Sequence, residues 1–204
     1  MRALALSLTL LAVASCGGPD QPGQGPGPDL ADLPLRSDEV PAGLRLDSGT
    51  SGPIDSLRDV LPPLSAVPQL PPLTKEMHRG FLGGYHAVYQ GSPDEGPTSA
   101  SSSALRFADP EIAARFLEYL REVQAGEITV GSSREDIQLL DTPNLGEEGY
   151  GWHRVAPGGE TSGCSWRRGD LVLTLTLGGP VGRAPAAAAL ELSRAVDSRL
   201  SPPT

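Results

Sequence analysis

The sequence predicts an α+β domain: an antiparallel β-sheet of about five strands with two main helices packed on one face. Three observations carry this reading. Residues 79–90 (RGFLGGYHAVYQ) and 101–109 (SSSALRFAD) are strand-like stretches either side of a turn-rich segment. Residues 109–123 place apolar side chains at helical spacing behind an Asp-Pro start. Residues 150–178 hold three more strand-like stretches, separated by Pro157-Gly158-Gly159 and by Gly169.

The chain begins with a positive residue, Arg2, and an apolar run from Ala3 to Ala14. Such a run is too short for a membrane-spanning helix, which needs about 20 residues. It suits the apolar core of a secretory signal. The run ends Val13-Ala14-Ser15-Cys16. These four residues resemble the lipobox of bacterial lipoproteins, an aliphatic residue and two small ones before an acylated cysteine. The resemblance covers the first sixteen residues. It implies cleavage between Ser15 and Cys16 and acyl chains on Cys16, of palmitate type. The chain would then be lipid-anchored at the cell membrane, facing the extracytoplasmic side, with membrane lipid as its first partner.

The organisation that follows is a signal peptide at 1–15, lipidated Cys16 with a linker over 16–36, a single domain at 37–200 and a tail at 201–204. Gly and Pro dominate residues 17–28 (GGPDQPGQGPGP), a composition that forms neither helix nor ladder. The formal charge is −9, from 16 Lys+Arg and 25 Asp+Glu. Removal of residues 1–15 takes away Arg2 alone and leaves −10. An acidic chain with Lys75 as its single lysine is no nucleic-acid partner. With Cys16 acylated, Cys164 is alone, so no intrachain disulfide forms and stability rests on an apolar core.

Within the domain, SDEVPAGLRLDSG (37–49) reads as a leading turn and a short strand, and PIDSLRDVL (53–61) as a short helix started by Pro53. PPLSAVPQLPPL (62–73) is proline-rich and should run extended, either as a wrap on the domain or as a ligand for a partner. Gly83-Gly84 inside the first long strand suggests a bulge or close packing. Asp109 caps the main helix, Pro110 opens it, and Ile112, Phe116, Leu120 and Val123 form its apolar face. Gly126 is expected to end it. Ile128–Val130 and IQLLD (137–141) then read as one or two short strands. In the last strand, Leu171, Leu173, Leu175 and Leu177 face one way, and Val172, Thr174 and Thr176 the other. A second helix over 185–200 carries Leu192, Val196 and Leu200 four apart.

SDEVPAGLRL, LRFADPEIAARFLEYL, LGEEGYGW, RRGDLVLTLTL and ALELSRAVDSRL resemble recurring segments of small actinobacterial α+β envelope lipoproteins. The chain is similar, more distantly, to the extracellular sensor domain of PknH-like kinases. The disulfides of that domain are beyond the reach of a lone Cys164. The resemblance implies a fold and a location; it carries no catalytic signature.

Candidate chemistry is sparse. His78, His86 and His153 are the histidines, and His86 lies on the strand face opposite Tyr85 and Tyr89. Were their strands neighbours, His86, His153 and Cys164 would meet at a zinc or copper site, but no HxH, HExxH or CxxC spacing supports one. Cys164 as a nucleophile would need a lowered pKa, and its apolar strand context predicts a buried, inert thiol. Glu147-Glu148 offers an acid/base pair or a cation ligand, against an ordinary solvated turn. Arg168-Gly169-Asp170 reads as a hairpin turn. No nucleotide-binding or serine-hydrolase motif occurs, and no cofactor is implied.

Of nine aromatic residues, Phe81, Tyr85, Tyr89, Tyr150, Trp152 and Trp166 fall on predicted strands. They serve the core or line a cleft, and Tyr85, Tyr89, Trp152 and Trp166 are the candidate ligand-cleft residues. The function expected is a non-enzymatic, ligand-binding or sensor-type envelope module, its ligand a small molecule, glycan, lipid or protein. The alternatives are an accessory lipoprotein acting by protein contact, and an envelope enzyme.

Overall fold

The computed structural model describes residues 28–60, 73–92, 96–130, 136–142 and 144–200. The lipobox, Cys16 and most of the proline-rich stretch lie outside these residues. The strands are β1 (Arg45–Leu46), β2 (Gly52–Ile54), β3 (Phe81–Gln90), β4 (Ser99–Phe107), β5 (Asp136–Leu140), β6 (Glu148–Ala156), β7 (Gly159–Arg168) and β8 (Leu171–Gly179). The helices are α1 (Lys75–Gly80), α2 (Pro110–Val130) and α3 (Ala186–Ser198). All eight strands join one antiparallel sheet in the order β1-β3-β4-β8-β7-β6-β5, with β2 beside β1 on the free edge of β3. The expected α+β class and antiparallel sheet are present. The strand count exceeds five because β1, β2 and β5 are short edge strands.

Local chemistry explains most boundaries. Asp109 Oδ1 accepts from the Ile112 N–H at 2.9 Å and caps α2. Gly126 does not stop that helix, which takes in Ile128–Val130. A helical glycine costs about 1 kcal/mol, less than the burial of Ile112, Phe116 and Val123 returns. Pro53 starts no helix: it sits in edge strand β2, where its missing N–H is harmless. The short 3-10 turn Leu57–Asp59 is instead capped by Ser56, whose hydroxyl accepts from the Arg58 N–H. Arg79 and Gly80 close α1 rather than open β3, because Thr74 caps a helical turn there through the Met77 N–H. The bulge expected in β3 is present between Phe81 and Gly83. A side chain on Gly84 would strike the Leu105 side chain and the Ala104 carbonyl, so β2, β3 and β4 close up only around glycine.

The helices do not share a face. Leu171, Leu173, Leu175 and Leu177 pack with Trp166, Ala104, Tyr89 and, from α3, Ala189 and Val196. Val172, on the opposite side of β8, packs with Leu105, Phe107, Tyr150, Trp152 and the α2 residues Phe116 and Val123. The sheet is the middle layer of three. The predicted single-face arrangement fails because the Val172-Thr174-Thr176 side of β8 is covered by α2 rather than by water.

The predicted linker also ends early. Leu33 and Leu35 are buried on the α3 side of the sheet. The Tyr89 hydroxyl donates to the Leu35 carbonyl at 2.7 Å, and Arg199 donates to the carbonyls of Leu33 and Pro34 at 2.9 and 3.0 Å. Residues 29–36 are therefore part of the folded body. Leucines at 30, 33 and 35 outweigh the flanking prolines and glycines that read as a linker.

One carboxylate ties the C-terminal half together. Asp197, buried on α3, accepts from Trp166 Nε1 at 3.1 Å, from Arg168 Nε and Nη2 at 2.7 Å each, and from the Gly146 N–H at 3.2 Å. The bidentate pair raises the Arg168 pKa above its ordinary value. Asp197→Ala leaves all these donors unpaired. Breaking a buried ion pair from one side costs about 3–5 kcal/mol, and the 30% exposure of Arg168 places this case at the lower end. The expected fall in Tm is about 6–12 °C by calorimetry. An unchanged Tm would show that the tie contributes no stability.

Candidate functional site

The four residues expected to line a cleft do not meet. Tyr85, Tyr89 and Trp166 lie on the α3 side of the sheet, and Trp152 on the α2 side. Tyr89 and Trp166 are core residues whose polar atoms are bound to Leu35 and Asp197. Tyr85 is partly exposed on the same side. Trp152 borders a partly enclosed space.

That space lies between the sheet and α2 and has a volume of about 220 Å³. Its floor follows from strand register. One row across five strands reads His86, Ser103, Thr174, Ser165, Tyr150. The next row reads Val88, Ser101, Thr176, Gly163, Trp152. All but Val88 and Gly163 line the cavity. The roof is Leu120, Val123 and Gln124 of α2, and Ile54, Asp59 and Val60 close one end. The α3 side of the same strands carries leucine, alanine and Trp166. The α3 face, with Ser102 and Ser162 among its leucines, is mainly apolar, and the α2 face carries a cluster of hydroxyls.

Burying hydroxyls costs free energy unless each finds a partner. Ser103 and Thr174 satisfy one another at 2.6 Å. The Tyr150 hydroxyl makes no hydrogen bond of normal geometry among the described residues, although the residue is only 6% exposed; Ser165, opposite it on β7, is its side-chain polar neighbour. Burial drives the Tyr150 pKa upward, so it stays protonated and is a donor as well as an acceptor. Gly163 shapes the far wall. A Cβ there would lie 2.7 Å from the Trp152 ring and from the Leu175 carbonyl, so Trp152 rests on bare backbone.

The residues weighed, and set aside, for a metal or nucleophile site are held apart. β3 and β6 are separated by β4, β8 and β7, and His86 lies on the face opposite His153 and Cys164. Among the described residues no three His, Cys, Asp or Glu side chains cluster for a metal. Cys164 is buried, and desolvation pushes its thiol pKa up. His153 Nδ1 is 2.8 Å from Ser162 Oγ and 3.7 Å from the buried Glu160, which looks like a nucleophile triad. It is wired the wrong way. The Ser162 hydroxyl donates to the Ala184 carbonyl at 2.6 Å, so its oxygen accepts from the ring instead of losing a proton to it. Glu160 also accepts from the Gly182 N–H. These contacts clip the β8–α3 connection to β7.

Glu147 and Glu148 stay exposed, as an ordinary turn predicts, and are ion-paired rather than set up as an acid/base pair. Both pair with Arg167, at 2.7 and 3.5 Å, and Glu147 accepts from the Gly169 N–H in the β7–β8 turn. Arg168-Gly169-Asp170 is that turn, with Gly169 at φ 56°. The residues that sequence reading missed are Ser101, Ser103, Ser165, Thr174 and Thr176. The alternation of SASSS and LTLTL places each set on one strand face, but only the β4–β8 pairing brings the two sets together.

Aligned on the crystal structure of the extracellular domain of PknH from Mycobacterium tuberculosis, the chain covers 94% of that domain with 84% of its own length, at a TM-score of 0.52. The two share a fold. Their sequence identity is 12%. No family model matches the chain, and no curated relative does. No helix among the described residues is long and apolar enough to cross a membrane.

His86 makes the cavity sensitive to acid. Its burial lowers the imidazole pKa from the ordinary 6.5, so the folded domain holds the ring neutral. The unfolded chain takes up the proton more readily. His86 thus contributes stability that is complete above pH 6.5 and is lost as pH falls through 6.5 toward the lower folded value. Wild-type Tm should drop on acidification below 6.5, and His86→Gln should drop less. Asp59 and Tyr150, the other titratable groups lining the space, are common to both proteins and cancel in the comparison. Superimposable Tm-against-pH curves would refute this account of His86.

Proposed function

We propose that the protein is a non-enzymatic, sensor-type binding module of the cell envelope, tethered to the membrane through acylated Cys16 and taking a small ligand between α2 and the sheet. The observation that carries the reading is the hydroxyl floor with the Tyr150 hydroxyl, which makes no hydrogen bond of normal geometry among the described residues. A sheet face covered by a helix is normally filled with apolar side chains. Here partly covered polar groups surround empty volume, which is the composition of a binding site rather than of a core. The shared fold with a kinase's extracellular domain and the Val13–Cys16 resemblance support an extracytoplasmic place for it. The non-catalytic part of the reading is supported by the surroundings of His86. No hydrogen bond links it to Ser101, Ser103 or Asp59 among the described residues, and Ser103 is engaged with Thr174.

Two experiments test the two halves. Protein purified without denaturation, and its crystal structure at high resolution, should show a non-water occupant in the cavity or a thermal shift with at least one compound of a chemically broad small-molecule panel. Water alone, with no shift across the panel, would overturn the binding half. Cys16→Ala should release the protein from the membrane fraction or block its processing. A mutant that stays membrane-bound in the same amount and form would overturn the tether.

A further inference from the structure

We propose that the ligand is a neutral polyhydroxylated molecule of single-sugar size, an inference that rests on the reading of the cavity as a binding site. Size is the first argument. The volume of 220 Å³ lies below the roughly 300–1,000 Å³ of drug-sized sites. It accommodates one sugar ring and excludes a nucleotide or a peptide.

Charge is the second. Among the described residues no lysine or arginine lines the space, and Asp59 is the acidic residue that does. A phosphate or carboxylate would be desolvated with no compensating cation, next to a carboxylate and in a chain of net charge −9. Anionic ligands are therefore disfavoured.

The third argument is the kind of polar group present. Ser101, Ser103, Ser165, Thr174, Thr176 and Tyr150 are all hydroxyls, each able to donate and accept. A polyol presents the same dual groups at short intervals, so a row of hydroxyls matches it in either polarity. A metal would call for carboxylates, imidazoles or thiolates in a cluster. The row is not merely a stripe of small residues: Tyr150, 6% exposed, supplies a buried hydroxyl that makes no hydrogen bond of normal geometry among the described residues, with Ser165 as its polar neighbour. Trp152 adds a flat apolar wall, of the kind that receives the C–H face of a sugar ring.

The test is calorimetric titration of the full chain with glucose, galactose, mannose, arabinose and myo-inositol, run beside choline chloride and inorganic phosphate. At least one polyol should bind, and choline and phosphate should not. Tyr150→Phe should weaken that binding about tenfold, the loss of one hydrogen bond. Thr176→Val, which removes a hydroxyl at nearly constant shape, is the second variant should Tyr150→Phe fold poorly. Binding of choline or phosphate with no polyol binding would overturn the sugar assignment and leave the cavity a binding site. Polyol binding unchanged in both variants would place the sugar elsewhere and overturn the proposal. If no probe of any class binds and the cavity holds only water, the binding reading falls with it.

Discussion

The pairing of β4 with β8 is the constraint on which the rest of the domain depends. These strands come from opposite ends of the folded chain: β4 belongs to the N-terminal hairpin and β8 closes the C-terminal meander. Their register, Ser101 opposite Thr176 and Ser103 opposite Thr174, sets which side chains share a face across the whole sheet. A one-residue slip would turn every leucine of β8 toward α2 and every threonine toward α3. Leu171, Leu173, Leu175 and Leu177 fix the register from one side by burial. The Ser103–Thr174 hydrogen bond is consistent with it from the other. The cavity floor is a by-product of the same decision.

Once the sheet is closed, its two faces are stabilised by different means. The α3 face is an apolar layer pinned by a polar tie, with Asp197 holding Trp166, Arg168 and the backbone at Gly146. The α2 face is aromatic at one end, where Phe81, Phe107 and Phe116 pack with ring centroids 5.0–5.8 Å apart. It becomes polar toward the middle of the strands. This gradient along one face lets α2 be anchored firmly by its first turns while its later residues, Leu120, Val123 and Gln124, roof a space instead of filling it. Anchoring and vacancy are adjacent on the same helix.

Much of the fold was legible because its strongest elements obey local rules. Asp109 and Pro110 announce a helix start, and the leucine alternation of β8 announces a strand with one buried side. The other side of that strand was not legible. Threonine has high strand propensity and is compatible with water or with a covering helix, so Thr174 and Thr176 gave no sign that α2 lay over them. The candidate site suffered from the same ambiguity in reverse. Tyr and Trp attract attention as cleft residues, yet Trp166 and Tyr89 use their polar atoms to satisfy Asp197 and Leu35 inside the core. Trp152 borders the cavity, and His86, read as an ordinary sheet histidine in preference to a metal ligand, borders it too. Serine and threonine carry no chemical signature alone. Their meaning appears only when register sets five such side chains over neighbouring strands.

The early start of the folded body alters the mechanics of the proposed tether. The backbone is gripped from residue 28 onward, where Arg106 holds the Pro28 carbonyl, and the segment then runs along the α3 face. From Cys16 to Pro28 the chain spans twelve residues, a leash of at most about 40 Å when fully drawn out. A domain so held would search only a thin layer above the lipid, where the concentration of anything released at that surface is highest. A tether through Cys16 would join the domain on the α3 side of the sheet, while the cavity lies on the α2 side. Under the proposed function, membrane and ligand would meet opposite faces of the sheet, and neither would need to be displaced for the other to bind.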